Sequence, residues 1–334
     1  MFENPVTEGQ ISLRASNLEI NYGKNLALDI EQLSMSGRII AVIGHNGSGK
    51  STLIKSILQL LSPKKGKLIT EWVNDSQSMQ LVPEQHMAFA QENGGIFADI
   101  RVESYLKLWC RIKQGRSDYY RKEGQKFIEM LEISPLLQKL GRELSKGQKR
   151  RVQAAAGFLT NPRLFLFDEP FDGLDIAQST QLANLMQQQS KNMGLILSSH
   201  RMDVVERLAD LVLVLHGGKI FAVGSVEEVC RILCGKSIAI SNTAEQRLAL
   251  ISLLPALKRE FYSCLINQIG DQLLITGSDA SLESVESFFI RQNLLGVRLN
   301  PITPSLVDAM HYHLNRSLAQ TDFSQQIDSS QLLQ

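Results

Sequence analysis

Eight residues, Gly44-His45-Asn46-Gly47-Ser48-Gly49-Lys50-Ser51, set the tightest limit on how this 334-residue chain folds. They match G-x-x-x-x-G-K-[ST], in which glycines let the backbone curl until several N–H groups face one phosphate chain. The loop needs a strand before it and a helix after it. The apolar run Ile39–Ile43 reads as a strand buried on both faces of a parallel sheet. Beyond the loop, Leu53, Ile54, Ile57, Leu58 and Leu61 keep helical spacing, and Pro63 is expected to end that helix. The helix N-terminus adds partial positive charge at the same place. Lys50 can then reach β- and γ-phosphates while the Ser51 hydroxyl ligates Mg²⁺. Gly44, His45, Asn46, Gly47, Ser48, Gly49, Lys50, Ser51 and Thr52 are the candidate nucleotide-binding residues.

A second strand-like run, 164–167, ends in Asp168 and Glu169. Such a strand is expected beside the phosphate-binding strand, with Asp168 directed to Mg²⁺. Glu169, one residue on, is then placed to activate water as a general base. Residues 195–197 read as another buried strand, and Leu182, Leu185 and Met186 mark an amphipathic helix between the two. Strand–helix–strand repetition predicts an α/β fold with parallel pairing. Gly217-Gly218 joins 211–215 to 219–223 as a hairpin. Residues of about 96–160 are expected to be a helical insert, with Tyr120, Phe127, Ile128 and Leu131 at helical spacing. From 236 the order reads strand 236–241, helix 243–254, strands 260–267 and 272–276 joined at Gly270-Asp271, helix 282–289 and strand 296–299. That βαββαβ order is ferredoxin-like. The domains expected are 1–235, a small α+β domain over 236–318, and a disordered tail over 319–334 rich in Gln, Ser and Asp.

Composition excludes several classes. A hydrophobic share of 43% belongs to a folded protein, not a disordered one. Lys and Arg number 35 against 34 Asp and Glu, so no global field draws the chain to nucleic acid. No run approaches the ~20 apolar residues of a membrane helix. The N-terminal residues lack a basic-then-apolar pattern, so no secretion signal is expected. Four cysteines are too few for a disulfide framework, and Cys230 and Cys234, four apart, read as packed thiols rather than metal ligands.

Leu144-Ser145-Lys146-Gly147-Gln148 resembles the signature motif of ABC-type ATPases. Four further segments resemble that family's motifs in its order: Tyr22 as the adenine-stacking aromatic, Gln91 as the glutamine loop, Gly173-Leu174-Asp175 as the D-loop, and His200 as the switch histidine. The resemblance covers residues 11 to about 235. It implies a P-loop core with an antiparallel N-terminal β portion. It also implies catalytic roles for Glu169, His200 and Gln91, and Mg²⁺ ligation by Ser51, Gln91 and Asp168. Nucleotide contacts are implied for Tyr22, Ser145, Gly147, Gln148 and Asp175, with ATP and Mg²⁺ as cofactors. The chain departs from the pattern at Lys146, where a glycine is usual, at Phe171 in place of Thr, and at Ile176 in place of Pro.

Such a chain is implied to pair with a second ATPase subunit around two MgATP. Together they would drive a separate membrane permease from the cytoplasmic face of the cell membrane. The overall layout resembles ATPases of bacterial export-type systems that append a small domain. The alternative, an ATPase of this family acting on a nucleic-acid or ribosomal partner, meets two objections. Too few residues separate Lys50 from Ser145 for a long coiled coil, and the chain carries one nucleotide domain. The basic run Lys146, Lys149, Arg150 and Arg151 is expected to be mostly a solvated face.

Overall fold

The computed structural model describes residues 9–74, 77–93, 95–114, 119–235, 237–241, 244–269, 272–277, 280–294 and 296–314. The chain divides into two compact units, Met1–Ser225 and Val226–Gln334. The division falls before the position the sequence suggests, so the helix carrying Cys230 and Cys234 belongs to the second unit.

In the first unit, β1 (Gln10–Tyr22) and β2 (Asn25–Gly37) form a long antiparallel hairpin turning at Gly23. Leu13, Leu18, Ile20, Leu28 and Ile30 point inward and are buried, the alternation produced when one face of a sheet is covered. β3 (Ile39–Ile43) is buried at every residue and leads through the phosphate loop into α1 (Lys50–Ile57). That helix stops short of Pro63: Gln59 takes a left-handed φ of 55°, and Leu61 packs on the core from the following turn. β4 (Lys65–Val73) and β5 (Ser78–Gln80) complete a first sheet of order β2-β1-β4-β5.

α2 (Pro83–His86) and β6 (Met87–Ala90) lead to a helical segment of α3 (Val102–Gln114), α4 (Tyr119–Met130) and α5 (Lys146–Leu159). Then come β7 (Leu164–Asp168), α6 (Ile176–Gln189), β8 (Gly194–Ser198), α7 (Met202–Leu208), β9 (Leu211–His216) and β10 (Lys219–Gly224). The second sheet has the order β10-β9-β3-β8-β7-β6, parallel except for the β9–β10 hairpin. β7 therefore does not adjoin β3, as the sequence suggested; β8 lies between them. One core of buried side chains joins β1, β2, β3, α1 and β8. Each fully buried Leu or Ile there contributes about 1.5–3 kcal/mol.

The second unit contains α8 (Val226–Cys234), β11 (Ser237–Ser241), α9 (Ala244–Glu260), β12 (Leu265–Ile269), β13 (Gln272–Thr276), α10 (Leu282–Arg291) and β14 (Arg298–Ile302), with a last helix over 306–314. Sheet order β12-β13-β11-β14, with every neighbour antiparallel, is the ferredoxin-like arrangement. α9 runs through Pro255 to Glu260, past the end the sequence suggests. Leu257 and Phe261 are buried in this unit's core, which offsets the ~3 kcal/mol a helical proline costs. That extension displaces the strand expected at 260–267 to β12. The expected turn at Gly270-Asp271 and tail at 319–334 lie outside the described residues.

Candidate functional site

The strand order explains how the site is assembled. β3, β8 and β7 lie side by side, with Val42 and Asp168 both in register with Ser198 on the strand between them. Three loops therefore leave the same edge of the sheet together: 44–49, 169–175 and 199–201.

Gly44 adopts φ 150°, and a Cβ there would lie 2.3 Å from Leu215 O. Gly49, at φ 105°, would drive one to 2.6 Å from Leu28 Cδ2. Both are positions only glycine fits. Gly47, at φ 81°, has nothing within 4 Å of its would-be Cβ, so the loop's outer side is open. Lys50 is buried, and its Nζ donates to Gly44 O at 2.9 Å and His45 O at 3.2 Å. The ammonium is thus held within the curl of the loop. Ser48 Oγ is buried with no hydrogen-bond partner among the described residues. His45 Nδ1 lies 2.7 Å from Asn46 O, and its ring meets His216 edge-on. Thr52 is buried in α1, where its carbonyl accepts from Ser56 Oγ. An open glycine rim, an orphaned hydroxyl, a lysine and a helix N-terminus fit a phosphate chain.

Beside the loop, Ser51 Oγ donates to Asp168 Oδ1 at 3.1 Å, and Ser198 Oγ donates to the same oxygen at 2.6 Å. Ser198 Oγ also accepts from Glu169 N at 3.0 Å. A hydroxyl and a carboxylate, both hard oxygen donors, suit Mg²⁺. Among the described residues no group of three or more His, Cys, Asp or Glu could hold a metal. Cys234 is occupied elsewhere: its Sγ donates to Cys230 O.

Glu169 is buried, and its Oε2 accepts from the His200 backbone N at 3.2 Å and from His200 Nδ1–H at 2.8 Å. His200 thereby fixes one carboxylate oxygen while its ring remains largely exposed. Chemically, the group can bind phosphates, hold a divalent ion and accept a proton from water.

The other predicted residues are placed more locally. Gln91 is exposed just beyond β6, and its carbonyl accepts from Arg150 Nη1 at 2.8 Å. Ser145 caps α5 in a reciprocal box: Gln148 N donates to Ser145 Oγ at 3.2 Å, and Ser145 N donates to Gln148 Oε1 at 3.0 Å. Gly147 packs so close to Gly173 O that a Cβ would sit 2.4 Å from it, tying the signature to the D-loop. Asp175 caps α6, its Oδ1 accepting from Gln178 N at 2.8 Å. Tyr22 stands at the end of β1, an exposed residue at 46%.

The basic run is only in part a solvated face: Lys146 is exposed and Lys149 half-buried, but the two arginines are not. Arg150 and Arg151 are buried, and Arg151 Nη1 donates to Leu131 O at 3.1 Å. Sequence reasoning missed Ser198, which ties Asp168 to Glu169; its signal was a serine ending a buried parallel strand. It also missed Asp172, which pairs with Lys146.

The family described as ABC transporter matches residues 23–172. The molybdenum import ATP-binding protein ModC of Escherichia coli (strain K12) is 30% identical over 294 residues, covering 85% of this chain and 81% of that protein. Its namesake in Shigella flexneri is 33% identical over 220 residues, or 64% of this chain and 61% of that protein. Among solved structures, an ATP-binding subunit of an ABC transporter aligns with TM-score 0.58 and 27% identity, over 66% of this chain and 92% of that one. The ADP conformation of an ABC transporter's ATP-binding cassette aligns with TM-score 0.53 and 26% identity, over 66% and 94%. These relatives carry import in their names, so the expected export-type grouping finds no support among them. No helix among the described residues is long and apolar enough to cross a membrane.

Proposed function

The chain belongs to the ATP-binding subunits of ABC transporters, ATPases that couple hydrolysis to transport, and on that premise we propose that it powers an importer as one of two ATPase subunits closing around two MgATP. The observation that carries the site reading is the continuous bond path Ser51–Asp168–Ser198–Glu169–His200 beside a glycine loop that holds Lys50. The import reading rests on the names of the relatives, and molybdenum is the cargo those names supply.

In this reading Lys50 and the N–H groups of 44–49 bind the β- and γ-phosphates. Tyr22 offers its exposed face to the base. Ser51, Asp168 and the Gln91 amide hold Mg²⁺, which supplies Lewis-acid neutralisation of phosphate charge. Glu169 takes the proton of the attacking water on a carboxylate oxygen, and His200 orients that carboxylate through its two N–H groups. Ser145 and Gly147, at the start of α5, offer a helix N-terminus to the nucleotide held by the second subunit. The chain works at the cytoplasmic face of the membrane, held there by its permease.

The direction is tested by metal content. Cells lacking the chain and starved of molybdate are expected to accumulate less molybdenum than wild type, with recovery on re-expression but not with Lys50→Ala. Unchanged or raised molybdenum would overturn import of this cargo.

A further inference from the structure

Helix α5 begins inside the signature motif, and two of its basic residues, the half-exposed Lys146 and the buried Arg150, are tied to neighbouring loops. Lys146 and Arg150 are four positions apart and so share one face of the helix. Lys146 forms an ion pair with Asp172, whose backbone N–H donates to Glu169 O at 3.3 Å. Arg150 is only 4% exposed and donates from Nη1 to Gln91 O. Its Nε and Nη2 are buried with no partner among the described residues.

Burial pushes the guanidinium below its ordinary range, and the charges of Asp172, Glu92, Asp168 and Glu169 pull it back. The Lys146 hydrogen bond, foremost, and then the charges of Lys146 and Arg150 hold the Asp172 carboxyl below the usual range. A guanidinium buried with idle donors is unfavourable unless acidic groups face it. Three of those four groups, Asp168, Glu169 and Asp172, lie in the turn that carries the candidate base.

We propose that Arg150 is a positioning residue for ATP hydrolysis: it fixes the Gln91 backbone relative to the turn 168–172 that bears Glu169, while Lys146 holds the same turn through Asp172. Among the described residues the phosphate loop makes no bond to either cation, so the contacts of Lys50 and 44–49 with the phosphates do not run through this clamp. The proposal rests on the roles given above to Gln91 and Glu169. Small displacements of such groups cost rate rather than affinity.

The test uses the full chain with Arg150→Gln, Arg150→Lys and Asp172→Asn, measuring kcat per titrated nucleotide site and KM for ATP. Arg150→Gln is expected to lower kcat at least about tenfold with KM within about twofold of wild type. Arg150→Lys, which keeps the charge but not the planar fork, should recover part of the rate. A kcat within about twofold of wild type for Arg150→Gln would overturn the proposal, as would a parallel loss of affinity. Should Arg150→Gln fail to fold, the part-exposed Asp172→Asn decides: reduced kcat at unchanged KM supports the clamp, and unchanged kcat overturns it. Glu169→Gln assayed alongside keeps the readings separate. Retained hydrolysis there would refute the base assignment without altering the Arg150 result.

Discussion

Glu169 occupies a backbone conformation that a glutamate adopts only under constraint. Its φ is 51°, a left-handed geometry costing roughly 1–2 kcal/mol for a residue with a Cβ. Two bonds from its N–H to Ser198, at 3.2 Å to the carbonyl and 3.0 Å to Oγ, hold it there. The strain aims the carboxylate at His200, so backbone and chemistry are coupled at this one position. Removing the side chain separates the two effects. Glu169→Gly is expected to be more stable than Glu169→Ala by about 1 kcal/mol in denaturant titration, because glycine adopts the φ freely. An alanine variant equal to or more stable than the glycine variant would show that the conformation is not strained.

At the scale of elements, α5 packs closer to β7 than any side chain permits. A Cβ on Gly157 would lie 1.9 Å from Phe165 Cζ. Phe165 cannot give way easily, since its ring lies 3.8 Å from that of Phe167 and 5.1 Å from that of Phe158, centroid to centroid. Gly157→Ala gains about 1 kcal/mol of helix propensity, while overpacking costs about 1–3 kcal/mol. Sterics should win, with net loss of stability in thermal or chemical unfolding. A stabilised variant would mean that α5 is free to move off the sheet.

The same helix marks where the sequence stopped being legible. The loop 44–51, the strands around it and the pair Asp168-Glu169 could be read directly, because glycine geometry and unbroken apolar runs are local signals. Arg150 could not. Its run of cations looks like solvated surface, and only the three-dimensional approach of Gln91 and Asp172 turns it inward. The order β3-β8-β7 was hidden for a related reason: neighbours in a parallel sheet are set by crossovers, which leave no trace in either strand. The helix expected over 243–254 differs in the opposite sense: it runs on through Pro255 to Glu260, because burial of Leu257 and Phe261 outweighs a local helix breaker.

For the whole molecule, every candidate nucleotide-contacting residue, from Tyr22 to His200, lies in the first unit, which has its own core. The second unit has a separate core and contributes none of them. A chain ending at Ser225 is therefore expected to bind ATP with an affinity within about threefold of the full chain, a small change on the free-energy scale. Loss of binding would show that residues 226–334 complete the site. For residues 236–318 within it we propose a role in assisting the pairing of two ATPase subunits or in regulating their turnover. Unchanged assembly and basal activity after removal of these residues would overturn that role.

The central claim is that the chain hydrolyses ATP with Glu169 as the base that accepts the water's proton. Phosphate release by the purified full chain, wild type against Glu169→Gln, tests it most directly when nucleotide binding is measured on the same samples. The account predicts a fall in kcat of at least about a hundredfold with ATP still bound, within the range expected for loss of a positioned general base. Release by Glu169→Gln at the wild-type rate would contradict it.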